Sequence, residues 1–223
     1  MPVHAIYQCL RPGCRFRFPA SEDSPIVNNC PKCGAPLQVI ESPYPALKVA
    51  QRDQYLHEPE IEVLLDNLRS TFNVGSIFRT ADGAGVRHLH LCGITPTPDH
   101  PKVAKTALGA EYAVSWSQHW DAIAAASALK ADGLRLWALE GGPQAQSLFQ
   151  ALPLIDSRPI LLVVGNEVSG VDPGILPLCE RTVFIPMEGI KGSLNVAIAF
   201  SIAVYLLRFA AETNRKPASP PTP

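Results

Sequence analysis

The spacing of apolar residues along the chain changes at about residue 60. Beyond that point, short apolar runs rich in β-branched residues alternate with longer segments whose apolar residues recur at helical spacing. The predicted strands are 62–65, 88–92, 113–116, 135–139, 159–164 and 182–185, and the predicted helices are 74–84, 120–131 and 194–209. This alternation predicts an α/β fold with a mostly parallel sheet covered on both faces. Ligands of such sheets bind at the carboxyl ends of the strands.

The last predicted strand and helix form the most distinctive stretch. The apolar run Thr182 to Ile185 ends at Pro186, a glycine-containing loop follows, and Ser193 is a good N-cap for the helix. This helix is apolar on all sides, so we expect it to be buried in a core or against a second subunit. A strand, a glycine loop and a helix N-terminus together can direct backbone N–H groups toward a ligand. The same pattern also fits a tight connection that binds nothing.

Composition places the chain among globular proteins. It has 223 residues, 47% of them hydrophobic, and a formal net charge of -1, which predicts one domain with a small appendage. No apolar run is both long and uncharged enough to span a bilayer, and the N-terminus does not show the pattern of a signal peptide. We therefore expect a cytoplasmic protein with no membrane contact. Because the charge is balanced, any contact with nucleic acid must be local.

Four of the six cysteines lie in the first 33 residues, as the pairs Cys9/Cys14 and Cys30/Cys33. Two cysteines on a tight turn can direct two thiolates at one ion, and two such turns complete a tetrahedral Zn²⁺ site. A disulfide suits an oxidising compartment, which nothing in the sequence indicates. A redox dithiol is expected at a helix start in a βαβ unit, whereas this stretch is typical of short strands and turns. Structural zinc is the favoured interpretation.

These features divide the chain into four predicted parts. Residues 1–42 form a zinc-ribbon-like domain, the proline-containing segment 43–59 is a linker, 60–212 is the α/β domain, and 213–223 is a disordered tail. The ribbon-like part is too small to fold on core burial alone, so the metal is expected to supply its stability.

A basic and aromatic cluster, Arg15 to Phe18, lies within the ribbon-like part. Guanidinium groups beside aromatic rings are used to bind single-stranded RNA. Ordinary packing of the two phenylalanines is the alternative. The net charge is +2 through residue 57 and -3 after it, so the ribbon carries the local positive charge.

The first stretch with candidate chemistry follows the predicted strand that ends near Asp66. Asn73 can cap the next helix, and Arg79 lies within that helix. The guanidinium of Arg79 can hold a phosphate through two hydrogen bonds, or it can form a structural pair with Asp66 or Asp82.

The second and third stretches follow later strands. Gly165 ends an apolar strand and allows backbone to approach a ligand closely, while Glu167 offers a carboxylate at a strand end or a contact that caps a loop. Ser193 and Asn195 stand at the start of the apolar C-terminal helix.

Together the three stretches resemble the three motifs of the SpoU (TrmH-type) RNA ribose 2′-O-methyltransferases, a family of the SPOUT superfamily. Asn73 to Ala81 resembles the first motif, Gly165 to Gly170 the second, and Ile185 to Val196 the third. The segment Lys105 to Ala110 resembles the family's linking loop. The resemblance covers about residues 60–210 and does not extend to the ribbon-like part.

The resemblance implies a C-terminal trefoil knot, a homodimer, and S-adenosylmethionine bound in the knot by Gly165, Ile185 and Leu194. It further implies methyl transfer to a ribose 2′-hydroxyl of tRNA or rRNA. Two alternatives stay open, a catalytically silent knotted RNA-binding protein and a SPOUT enzyme that methylates a base nitrogen.

The implied catalytic residues are Arg79, Asn73, Glu167, Ser193 and Asn195. Arg79 matches the residue that the family uses on the 2′-hydroxyl, and a guanidinium is better suited to orient that group and stabilise its developing charge than to remove its proton. No catalytic metal is implied, because the zinc is structural.

Overall fold

The computed structural model describes residues 4–41, 59–152 and 156–213, with side chains described as far as Phe209. The chain divides into two compact units, Met1–Leu56 and His57–Pro223. The predicted linker and tail lie outside the described residues, except for Pro59 and the end of the last helix.

The first unit is a three-stranded antiparallel sheet in the order β2-β1-β3. The strands are β1 (His4–Cys9), β2 (Arg17–Ser21) and β3 (Leu37–Glu41). Its buried cluster consists of Ala5, Tyr7 and Ala20, with Phe18, Val27 and Leu37 packed against it. A core of this size cannot stabilise a domain alone, so the unit needs a second source of stability.

The second unit is built on a seven-stranded sheet in which all neighbouring strands are parallel. The strands are β4 (Ile61–Asp66), β5 (His88–Cys92), β6 (Ser115–His119), β7 (Arg135–Leu139), β8 (Gln146–Ser147), β9 (Ile160–Val164) and β10 (Arg181–Phe184), in the order β6-β5-β4-β9-β7-β10-β8. The predicted α/β class with a mostly parallel sheet is thus confirmed. The C-terminal trefoil knot stays a prediction.

Helices cover both faces of this sheet. They are α1 (Thr71–Ala84), α2 (Pro101–Ala107), α3 (Ala122–Ala131), α4 (Leu148–Ala151) and α5 (Val196–Thr213). On one face, α1, α2, α4 and α5 bury Phe78, Trp137 and Phe200 completely. On the other face, α3 packs over Leu64 and Leu161. No helix in the described residues is both long and apolar enough to cross a membrane.

Several predicted boundaries were wrong for identifiable reasons. The helix α1 begins at Thr71, because Ser70 and not Asn73 is its N-cap. Asn195 and not Ser193 caps α5, since its Oδ1 accepts from the N–H groups of Ala197 and Ile198. Residues 101–107 form a helix with proline at its first position, so the segment 105–110, expected to be a loop, is partly helical. The strand β6 begins at Ser115, two residues after its predicted start.

Candidate active site

A cavity of about 930 Å³ opens at the carboxyl ends of β7, β9 and β10. Its walls are the loops that follow these strands, the loop after β4, and the first turn of α5. Seven of the eight predicted catalytic and cofactor residues line it, namely Asn73, Gly165, Glu167, Ile185, Ser193, Leu194 and Asn195. The remaining one, Arg79, lies elsewhere. The position agrees with the rule that ligands of parallel sheets bind at the carboxyl edge.

The loop after β9 turns back on itself directly at Gly165. A Cβ atom on Gly165 would lie 2.2 Å from the carbonyl carbon of Gly170 and from the nitrogen of Val171. Asn166 closes this turn, since its Oδ1 accepts from the N–H groups of Val168 and Ser169. The sequence predicts a glycine here so that backbone can approach a ligand closely. In the structure, the protein's own returning backbone already excludes any side chain at position 165.

The Glu167 carboxylate is held against the N-terminus of α1. Oε2 accepts from the backbone N–H of Arg69, and Oε1 accepts from the backbone N–H of Ser70 and from Asn73 Nδ2, all at 3.0 Å. Burial by itself would raise the pKa of the Glu167 carboxyl. The hydrogen bonds that the carboxylate accepts, led by that from the Arg69 N–H, have the larger combined effect, so the pKa lies below its usual value. The carboxylate is therefore ionised at neutral pH and fixed in orientation.

A chain of side-chain hydrogen bonds extends from Glu167 to α5. Asn73 Nδ2 donates to Glu167, and Asn73 Oδ1 accepts from Asn195 Nδ2 at 3.1 Å. Because Oδ1 of Asn195 caps α5, both amide groups have a defined orientation. Three of the five predicted catalytic residues thus form one connected polar unit between α1, the loop after β9, and α5.

Ser193 and Arg79 stand outside this unit. The Ser193 side chain is exposed at the cavity wall. Arg79 is exposed on α1 and lines a second cavity of about 610 Å³ between α1 and α5. The two cavities share Asn73 and Asn195, so the amide pair stands between them. Among the described residues no ion pair involves Arg79, and Asp66 instead accepts from Asn67 and from the backbone of Asp172.

Glu140 is a cavity residue that sequence reasoning missed. It directly follows β7, its Oε2 accepts from the backbone N–H of Val171 at 2.9 Å, and its Oε1 accepts from Gly141. A Cβ atom on Gly170 would lie 2.3 Å from Oε2 of Glu140, so the glycine leaves room for this carboxylate. The signal was a carboxylate at the carboxyl end of a strand, the same feature that singled out Glu167.

The four cysteine sulfurs of the first unit, those of Cys9, Cys14, Cys30 and Cys33, lie within 4.8 Å of one another. Sγ of Cys9 is 3.5 Å from Sγ of Cys33, and Sγ of Cys14 is 3.9 Å from Sγ of Cys30. Two tight turns bring the sulfurs together. In the first turn the N–H of Cys14 donates to the carbonyl oxygen of Arg11, and in the second the N–H of Gly34 donates to the carbonyl oxygen of Cys30. Four sulfurs converging from two turns fit the tetrahedral Cys₄ arrangement of structural zinc.

The aromatic cluster of the same unit is divided between core and surface. Phe18 packs against the small core, while Phe16 is 38% exposed and stacks on Phe18 with ring centroids 5.4 Å apart. Core packing therefore explains Phe18, and Phe16 offers an accessible ring between Arg15 and Arg17.

Comparison with curated proteins identifies RNA-modifying relatives. The chain is 32% identical over 148 residues to 23S rRNA (guanosine(2553)-2′-O)-methyltransferase RlmP of Bacillus subtilis, covering 66% of this chain and 57% of the relative. It is 29% identical over 149 residues to tRNA (guanosine(18)-2′-O)-methyltransferase of Escherichia coli K12, covering 66% of this chain and 62% of the relative. The chain thus spans about three fifths of the length of these relatives.

Solved structures show the same fold. The SpoU methyltransferase AviRb from Streptomyces viridochromogenes, in complex with AdoMet, matches with a TM-score of 0.62 and 26% identity, covering 80% of this chain and 69% of that chain. An AdoMet-bound rRNA methyltransferase from Sinorhizobium meliloti matches with a TM-score of 0.63 and 28% identity, covering 78% and 64%. Residues 60–205 match the model of the SpoU rRNA Methylase family. With the motif residues gathered at the carboxyl edge of a parallel sheet, the chain belongs to the SpoU rRNA methylase family.

Proposed function

We propose that this protein transfers a methyl group from S-adenosylmethionine to a ribose 2′-hydroxyl in tRNA or rRNA. The observation that carries the proposal is the hydrogen-bonded unit of Glu167, Asn73 and Asn195, which stands between a large cavity and a second cavity lined by Arg79. A methyl donor on one side and a nucleotide on the other would meet at this unit.

The large cavity has a volume of about 930 Å³ and walls whose chemistry suits the proposed cofactor. Leu139, Ile185 and Leu194 supply apolar surface, and the Glu140 carboxylate supplies an acceptor for hydroxyl groups. We assign cofactor binding to Gly165, Ile185 and Leu194. When bound, the cofactor supplies a methyl group on a positively charged sulfur. The ionised Glu167 carboxylate at the same wall complements that charge.

The chain's own residues would handle the ribose. A 2′-hydroxyl is a weak nucleophile that loses its proton as the new carbon–oxygen bond forms, so charge develops on its oxygen. A guanidinium stays protonated in proteins, which suits Arg79 to stabilise that oxygen and bind the adjacent phosphate. Asn73 and Asn195 have fixed amide groups that can orient the ribose, and the exposed Ser193 hydroxyl can contact the target nucleotide.

Selection of the RNA is assigned to the first unit. The catalytic unit has a net charge of -3 after residue 57, so its electrostatic hold on phosphates is weak. The ribbon-like unit offers Phe16 between Arg15 and Arg17, with one ring open to stacking. We further propose that Cys9, Cys14, Cys30 and Cys33 bind one structural Zn²⁺, which would supply the stability that the small core of this unit does not.

We also propose a homodimer that uses the outer surface of α1 and α5. Phe72 on α1 is 57% exposed, and Ile198 and Tyr205 on α5 are 52% and 44% exposed. The apolar sequence of α5 predicts burial in a core or against a second subunit, and these side chains are the part that the core leaves uncovered. They surround the cavity that contains Arg79, so a second copy would also enclose the proposed nucleotide site. Sedimentation of the parent and of Ile198→Asp tests this, since the variant is expected to become monomeric.

The experiment that tests the function is modification mapping of RNA from a strain without the gene. One 2′-O-methylated nucleoside is expected to disappear, to return with the parent gene, and to stay absent with Arg79→Ala. A lost base methylation would instead indicate the base-nitrogen alternative. Unchanged RNA, with RNA binding intact in the purified protein, would indicate a silent RNA-binding protein.

A further inference from the structure

Three histidines converge on one serine on the α3 side of the sheet, away from the cavities described above. The Oγ atom of Ser117 on β6 lies 2.8 Å from Nε2 of His88, 3.3 Å from Nδ1 of His90, and 2.8 Å from Nε2 of His119. His90 Nδ1 and His119 Nε2 are 3.2 Å apart. These contacts join β5 and β6, and none of the residues contributes to the proposed methyl-transfer chemistry.

Three of these donor atoms, Ser117 Oγ, His90 Nδ1 and His119 Nε2, have a mutual spacing close to that of ligands in a tetrahedral metal site. Four ligands at about 2.0–2.1 Å from Zn²⁺ stand about 3.3 Å from one another. Of the six separations among Ser117 Oγ and the three imidazole nitrogens, four are hydrogen-bonded contacts of 2.8–3.3 Å. Nε2 of His88 is within hydrogen-bond distance of Ser117 Oγ alone among these atoms, and the His88 ring packs against the ring of His90 with centroids 4.5 Å apart. The His88 ring must therefore rotate toward the other donors to complete a site.

The Glu62 carboxylate forms a hydrogen bond with the ring nitrogen of His90 that faces away from Ser117. Oε2 of Glu62 on β4 lies 2.8 Å from Nε2 of His90, and the two side chains are 16% and 8% exposed. When Nε2 of His90 carries the proton that this contact requires, its Nδ1 presents a lone pair toward Ser117 and His119. Carboxylates orient metal-binding histidines in this way.

The donor set indicates which metal would bind. It consists of imidazole nitrogens and one hydroxyl oxygen, with a single carboxylate hydrogen-bonded to the central imidazole. Imidazole nitrogen is a ligand that suits Zn²⁺, whereas the hard cations Mg²⁺ and Ca²⁺ prefer oxygen ligands.

We propose that His88, His90 and His119, with the Ser117 hydroxyl or a water as fourth ligand, form a second Zn²⁺ site, separate from the cysteine cluster. Its ligands come from β5 and from the edge strand β6, and Glu62 extends the network to β4. Bound zinc would fasten the outer strand of the sheet to its neighbours. The site predicts zinc-dependent stability of the second unit, without a requirement for RNA or cofactor.

The test measures zinc content and thermal stability of the full-length chain with its cysteine cluster loaded. After a weak chelator has removed loosely held metal, the parent is expected to take up about one further zinc per chain, and its unfolding midpoint should rise with excess zinc. His119→Ala should lose this uptake and this rise. The matched control, His100→Asn, should keep both, because asparagine can replace the N-cap contact that His100 makes with the Lys102 N–H.

Cobalt(II) distinguishes the two kinds of site by spectrum. Cobalt added to the zinc-loaded chain should give visible d–d bands without a thiolate charge-transfer band, and His119→Ala should abolish them. His119→Gln provides a second variant of similar size, should the alanine variant fold poorly. The proposal is overturned if the parent binds no zinc beyond the cysteine cluster, or if the folded His119 variants bind as much as the parent.

Discussion

Replacing Glu167 tests whether the hydrogen-bonded unit at the cavity is structural, catalytic or both. The carboxylate accepts three hydrogen bonds, two of them from backbone N–H groups at the N-terminus of α1. Glu167→Ala removes all three acceptors and frees the Asn73 amide to rotate. Glu167→Gln keeps one carbonyl oxygen and removes the charge.

The expected loss of stability follows from these contacts. A hydrogen bond to a charged group contributes about 1.5–3 kcal/mol, but Glu167 is exposed, so water replaces part of what is lost. Removal of an N-terminal capping side chain costs about 0.5–2 kcal/mol. We therefore expect Glu167→Ala to lower the free energy of unfolding by about 2 kcal/mol, which for a chain of this size corresponds to about 4–8 °C in the unfolding midpoint. Glu167→Gln should lose about half as much.

The pH dependence separates charge from shape. The pKa of Glu167 is lowered in the folded protein, so its contribution to stability is fully present above the ordinary carboxyl pKa and is lost as pH falls through the lower folded-state value. The stability difference between the parent and Glu167→Gln should therefore be largest at neutral pH and vanish in acid.

Thermal and urea unfolding across pH 2–8, run beside methyl-transfer assays at a temperature where all proteins are folded, measure both effects. Glu188→Gln is the matched control, since the exposed Glu188 makes no hydrogen bond to another described residue. Methyl transfer by Glu167→Ala should fall further than its folded fraction, because Asn73 loses its orientation. Parental stability of Glu167→Gln at neutral pH, or a stability difference that persists in acid, would refute the reasoning.

Three further predictions concern other parts of the chain. Gly165→Ala should destabilise the second unit by several kcal/mol in urea unfolding, because its Cβ would lie 2.2 Å from backbone; Gly141→Ala, with open space at its Cβ, should not. The double variant Arg15→Ala and Arg17→Ala should bind RNA more weakly in filter-binding titrations and with a smaller salt dependence, while its cofactor affinity stays unchanged. If it binds RNA as the parent does at every salt concentration, the ribbon-like unit does not select the RNA. Cys33→Ser should reduce the zinc content of the first unit in elemental analysis and unfold it, whereas a metal-free, fully folded parent would contradict the zinc assignment.

Strand positions were the most predictable part of the fold. The bounds of β5 and β7 match the predicted strands residue for residue. In β5, HLHLC, leucine alternates with histidine at the two-residue period of a strand, and in β7 an apolar run follows Arg135. Helix starts were less predictable, because Ser70 and Asn73, and likewise Ser193 and Asn195, are all residue types that can serve as an N-cap. Only the folded backbone decides which side-chain oxygen accepts from the first free N–H groups of the helix.

Contacts between residues far apart in the chain could not be predicted from the sequence. The buried Arg208 lies in a mostly apolar helix, and its guanidinium donates to the carbonyl oxygens of Ala84, Gly85 and Pro59. No pattern in the neighbouring sequence predicts these three acceptors. The network of His88, His90 and His119 likewise arises only when β5 and β6 pair in register. The catalytic and cofactor residues were identified through the resemblance to the SpoU family, and all of them except Arg79 line the cavity at the carboxyl edge of the parallel sheet.

The most direct test of the central claim is an assay with purified protein, labelled S-adenosylmethionine and unmodified tRNA and rRNA transcripts. Complete nuclease digestion and nucleoside mass spectrometry identify the methylated product. We predict a 2′-O-methylnucleoside with the parent, and none with Arg79→Ala at unchanged cofactor affinity. A methylated base, or bound cofactor and bound RNA without any methylated ribose, would contradict the account.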